Sequence, residues 1–72
     1  MTPRGNYRQY WYEISVTSVG PTGSPWQGEL RLGREGSEEP IVDSLLVPGY
    51  FDTEPQAREA ADAYARVYVD QL

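Results

Sequence analysis

The chain contains no cysteine, no histidine and no lysine. Without cysteine there are no disulfides, no thiolate nucleophile and no thiolate zinc site. Without histidine the commonest general base, the commonest metal ligand and the usual neutral-pH switch are all missing. Without lysine every side-chain cation is an arginine, at Arg4, Arg8, Arg31, Arg34, Arg58 and Arg66, set against eleven acids for a formal charge of −5. Such a balance lacks the basic footprint that neutralises phosphates, so it argues against a nucleic-acid ligand and for solubility or a basic partner. Long apolar runs are also absent. None approaches a membrane span and residues 1–9 have no signal-like apolar stretch, so a cytoplasmic chain without membrane contact is expected.

What the chain does have is aromatic mass, with two Trp and six Tyr in 72 residues. A domain of this size sits near the lower limit at which one core offsets the entropy of ordering the chain. Large rings can supply the missing burial, and self-association is the other route.

Residues 1–9 are polar, with Pro3 and Gly5, and read as a flexible lead-in to a single domain spanning 10–72. Tyr10, Tyr12, Ile14 and Val16 then alternate with Trp11, Glu13, Ser15 and Thr17, the pattern of a half-buried strand with its even positions inward. Residues 19–25 are dense in turn formers and read as a hairpin loop. Trp26, Gly28, Leu30 and Leu32 repeat the even-inward phase in a second strand, where Gly28 leaves room for a ring or a helix, or marks a bulge. After a polar, acidic loop over residues 33–40, a third strand runs from Ile41 to about Val47 with apolar residues on both faces, which leaves its register open.

Thr53 with Gln56 three residues on is a capping-box pattern, and Pro55 suits a first helical turn. A helix is predicted from Glu54 to about Gln71, with Ala57, Ala60, Ala61, Tyr64, Tyr68 and Leu72 on its inner stripe. Glu54, Arg58, Asp62, Arg66 and Asp70 form a solvated ladder of alternating sign. The expected fold is α+β: a three-stranded antiparallel β-meander with one C-terminal α-helix packed on one face, in the order β-β-β-α. The other face is then open, carrying Trp11, Glu13, Ser15, Thr17, Gln27, Glu29 and Arg31.

Gly49, Phe51, Asp52, Thr53 and Ala57 fit a G-x-F-D-T-x-x-x-A pattern. This stretch resembles the start of the helix in the plant APETALA-type DNA-binding domain, which also places three antiparallel strands before one helix. That resemblance implies fold alone, because the arginine-rich, tryptophan-rich sheet that reads DNA in that family is not reproduced here. Across the whole chain, Tyr12-Glu13-Ile14-Ser15-Val16, Trp26, Phe51-Asp52-Thr53 and Tyr68-Val69-Asp70 resemble a family of small bacterial β-β-β-α proteins of uncharacterised function. The resemblance implies that architecture and no activity. The double-stranded-RNA-binding domain shares the terminal alanine-rich helix, but its N-terminal helix and lysine cluster have no counterpart in this sequence.

Trp11 on the open face is either a partner anchor or a packing residue of a small core. Arg31, Arg34 and Arg8 make a basic spot, or pair across strands with Glu13 and Glu29. Glu35, Glu38 and Glu39 read as a soluble hairpin tip, since oxygen-ligand cation cages need more donors in a defined loop. The remaining catalytic option is a carboxylate pair, Glu13 with Glu29 or Asp43, on an open sheet with no enclosing pocket to raise a carboxyl pKa. No enzyme activity, cofactor or metal is therefore expected. The predicted function is a protein-interaction or accessory module that binds a protein partner, or itself as a homodimer, through the open face or a strand edge, with Trp11, Glu13, Arg31 and Leu46 as candidate contacts. The alternatives are a nucleic-acid-associated regulator using Arg8, Arg31 and Arg34, and an acidic inhibitor of a basic protein site.

Overall fold

The computed structural model describes residues 4–21 and 23–72. Four strands, β1 (Arg4–Tyr7), β2 (Tyr10–Ser18), β3 (Trp26–Arg34) and β4 (Pro40–Leu46), precede one helix, α1 (Glu54–Asp70). The strands form one antiparallel meander in the order β1-β2-β3-β4. The α+β class, the antiparallel sheet and the C-terminal helix are as expected from sequence, but the strand count is four rather than three. The extra strand comes from Arg4–Tyr7, inside the segment read as a lead-in; the first three residues of that segment lie outside the described ones.

β1 forms because the chain reverses in two residues. Arg8 and Gln9 both adopt positive φ, 50° and 71°. That is the backbone of the two-residue hairpin turn whose twist matches its flanking strands. The turn places Tyr7 opposite Tyr10 and Gly5 opposite Tyr12. Two neighbouring rings on β2 then lie across glycines on opposite sides. The Tyr12 ring covers Gly5, where an added Cβ would stand 2.5 Å from Cζ. The Trp11 ring covers Gly33, its cross-strand partner on β3, where a Cβ would overlap Cζ2 and Cε2. A glycine that contributes no packing of its own is thereby roofed by an aromatic side chain.

The even-inward phase of β2 and β3 holds. Tyr12, Leu30, Leu32 and Val47 form the core with Ala61, Ala65 and Val69 of the helix, flanked by Tyr7, Tyr10, Ile14, Leu45, Tyr64 and Tyr68. Gly28 serves close approach of the helix, since an added Cβ would meet Ala61 at 3.2 Å and the Ala57 carbonyl at 3.3 Å. The inner stripe of α1 differs from the predicted one: Ala57, Ala61, Ala65 and Val69 are buried, Ala60, Tyr64 and Tyr68 half-buried, and Leu72 exposed. Small residues every four positions set the helix directly on β2 and β3, and the tyrosines fill the sides. The Thr53 hydroxyl caps the helix by accepting from the Gln56 N–H at 3.3 Å, and Pro55 lies in the first turn.

The ambiguity of β4 has a physical cause. Its pairing with β3 shifts register twice, so Val42 sits opposite Leu32 while Leu45, three residues later, sits opposite Leu30, only two residues away. Bulges of this kind let residues of both sequence parities reach the core side.

Candidate interaction surface

On the sheet face away from α1, a chain of ion pairs crosses three strand boundaries. Arg4 of β1 meets Glu13 of β2 at 3.0 Å, Glu13 meets Arg31 of β3 at 3.0 Å, and Arg31 meets Asp43 of β4 at 2.9 Å. Cross-strand register creates this arrangement, because Arg4, Glu13 and Arg31 stand directly opposite one another. The carboxylates considered for acid–base work, Glu13 and Asp43, accept from the same guanidinium. They serve as ion-pair acceptors.

Trp11 points to this outer face, as its alternation phase requires, yet only 3% of it is exposed. The Arg4 guanidinium stacks over the ring at 4.3 Å and Arg31 approaches at 5.8 Å. The loop after β3 folds back so that the Trp11 indole N–H donates to the Ser37 carbonyl at 2.7 Å. This loop, predicted as a purely soluble tip, is therefore part of the roof of a second small core. Trp11 offers no surface to a partner; it is the floor beneath Arg4 and Arg31. The other predicted contacts are accessible to differing degrees: the Glu13 side chain is 16% exposed, that of Arg31 is 43% exposed, and Leu46 is 56% exposed.

The helix face shows three further features. Tyr7 and Arg8 at the β1–β2 turn both bond to Asp70 in the last helical turn, Tyr7 Oη at 3.1 Å and Arg8 at 3.0 Å. The hairpin tip is thus tied to the C-terminal end of α1. Tyr12 Oη donates to Asp62 at 2.5 Å. Burial first, and then this bond, push the Tyr12 phenol above its ordinary value, while Arg66 pulls the other way. Toward the helix N-terminus an open groove of about 540 Å³ lies between strand and helix, floored by Gly5, Tyr12, Ile14 and Pro55 and rimmed by Arg4, Arg58, Glu59 and Asp62.

The opposite flank differs in character. β4 is the terminal strand of the sheet, and Ile41 (49% exposed) and Leu46 lie on it. After it in the chain Tyr50 is more than half exposed, and so is Val67 on α1. The double-faced apolar pattern of the third predicted strand is a sequence signal for Ile41; no comparable pattern marks Tyr50 or Val67. Comparison with family models, curated proteins and solved structures gives no match. Among the described residues no helix is long and apolar enough to cross a membrane.

Proposed function

We propose that the domain is a non-catalytic interaction module that binds a protein surface through the β4 edge and the adjoining outer face, with Ile41, Leu46 and Arg31 in contact and Trp11 supporting Arg31 from beneath. One observation carries this reading: large apolar side chains stand half exposed along a terminal strand that, among the described residues, has no neighbour on its outer side. Arg31 adds a polar contact whose orientation is set in advance by Glu13 and Asp43. A phosphate-reading role for Arg8 and Arg31 is disfavoured by the same geometry, which leaves Arg34, over the Tyr10 ring at 5.9 Å, as the third arginine of that alternative. Arg31 is occupied by two carboxylates and Arg8 by Asp70, and any nucleic acid would meet those acids first.

Affinity capture from the native cell, with wild type, Leu46→Asp and Arg31→Ala compared side by side, tests the reading. Proteins retained by wild type should be lost with Leu46→Asp and reduced with Arg31→Ala, while circular dichroism stays the same for all three. Equal retention by every form would defeat the proposal.

A further inference from the structure

β4 is a seven-residue strand, against four residues for the opposite edge strand β1. Val47 donates its N–H to Gly28 at 2.9 Å, so by antiparallel alternation Leu46 directs its own N–H and C=O away from β3. Proteins normally blunt such an edge with lysine, inward-pointing charge, proline or a covering element. Here Pro40 stands only at the first position, the one charge is Asp43, and that charge is already answered by Arg31. The two register shifts are the remaining guard, and they lie in the Pro40–Leu45 half of the strand. α1 packs over β2 and β3, so Val42 and Leu45 are only half covered on the helix side.

We infer that β4 pairs antiparallel with β4 of a second copy of this chain, joining two four-stranded sheets into one of eight strands with both helices on the same face. The inference rests on the edge reading given above and names its partner. A twofold axis perpendicular to the sheet produces this arrangement and makes the contact self-complementary. A stable dimer buries about 800 Å² on each partner, roughly a sixth of the 4772 Å² that one chain exposes. Ile41 and Leu46 on the strand and Tyr50 just beyond it together present roughly 300 Å² of surface. The uncovered strand edge, with half-buried Val42 and Leu45, adds to this. The seam carries no uncompensated charge, whereas a strongly basic partner would find little acid there.

Charge also supplies a discriminating sign. Two copies at −5 each repel, so added salt should tighten self-association, whereas it would loosen attachment to a basic protein. The test is sedimentation velocity of the full chain from about 5 to about 500 µM, at about 50 and about 300 mM salt. Leu46→Lys and Ile41→Lys are run beside Thr17→Lys, which makes the same charge change at an exposed site on β2. Wild type and Thr17→Lys should convert from monomer to dimer with concentration, at least threefold more tightly at the higher salt. The two β4 variants should weaken association tenfold or more, and amide exchange at Leu46 should slow as the dimer forms. A wild type that stays monomeric throughout, or a dimer indifferent to both β4 variants, overturns the inference. If wild type is monomeric while Leu46→Asp still abolishes capture from the cell, the edge binds another protein and only the self-pairing is wrong.

Discussion

Replacing Gly33 by Ala isolates the close approach on which the outer face depends. Gly33 does not have a positive φ, so alanine meets no backbone strain there, and its methyl group would overlap the Trp11 ring and stand 2.8 Å from Nε1. The ring cannot shift freely because it is 3% exposed and its N–H is held by Ser37. Overpacking of a filled site costs about 1–3 kcal/mol, and loss of the indole hydrogen bond adds about 0.5–1.5 kcal/mol. Full expulsion of the ring, at about 25 cal/mol per Å² over roughly 200 Å², sets an upper bound of about 5 kcal/mol. Gly33→Ala should therefore lose about 2–4 kcal/mol in urea unfolding followed by near-ultraviolet circular dichroism. That is a large share of the roughly 4–11 kcal/mol expected of a domain this size. The same substitution in a Trp11→Ala background should reverse sign and stabilise by about 0.5–1 kcal/mol, because alanine is then a better strand residue than glycine with nothing above it. Since Trp11→Ala itself costs about 3–5 kcal/mol, the cycle is measured in a stabilising osmolyte. Equal effects of Gly33→Ala in both backgrounds would refute the ring-over-glycine account.

Tyr12 gives a pH prediction. Its folded-state pKa is raised, chiefly by burial and then by Asp62, so its contribution to stability is complete below the ordinary tyrosine pKa of about 10 and is lost as pH rises through the higher folded value. Tyr12→Phe should flatten the decline in stability on the alkaline side in pH-dependent thermal melts; an unchanged slope would remove Tyr12 from the account. Arg4→Ala removes the cation stacked 4.3 Å above Trp11, and should raise acrylamide quenching of tryptophan emission while costing about 0.5–1 kcal/mol in chemical unfolding. Quenching no greater than in wild type would mean that the loop after β3 alone shields the ring.

β2, β3 and α1 were legible because each obeys a single period. The even positions from Tyr10 to Val16 in β2 and from Trp26 to Leu32 in β3 carry no polar residue, and Thr53 marks the helix start with a bond the structure contains. β1 was not legible, because Arg4-Gly5-Asn6-Tyr7 has one aromatic residue and a glycine, and its turn uses Arg8 and Gln9 at positive φ where asparagine and glycine are the recognisable pair. What holds β1 is the Tyr12 ring on Gly5 and the attachment of Tyr7 and Arg8 to Asp70, more than sixty positions away. The same limit applied to Trp11. Alternation assigned its face correctly, but its burial depends on a loop carbonyl at Ser37 and on Arg4, neither of which alternation can bring to it. Glu13 and Arg31 were recognisable as a cross-strand pair, whereas Asp43 joined them only through the bulged register of β4.

The location of the exposed edge follows from how much a single helix can cover. A helix with its side chains is about 10–12 Å wide, and strands repeat every 4.7–4.9 Å or so. One helix therefore shields about two strands of a four-stranded sheet and leaves one on either side. On the β1 side the hairpin tip is bound to Asp70 and the Tyr12 hydroxyl to Asp62, so that flank is fastened to the helix by polar contacts. Among the described residues no side-chain hydrogen bond or ion pair joins β4 to α1; the only polar side-chain contact of β4 is Asp43 with Arg31, on the opposite face. A meander with one helix and two flanks, one of them fastened, has its unsatisfied apolar surface at the other. If that surface is completed by a second chain, side-chain exposure at Val42 and Leu45 should fall together with exposure at Ile41 and Leu46, because the strand joining the sheet on one side would bring its own helix toward the other.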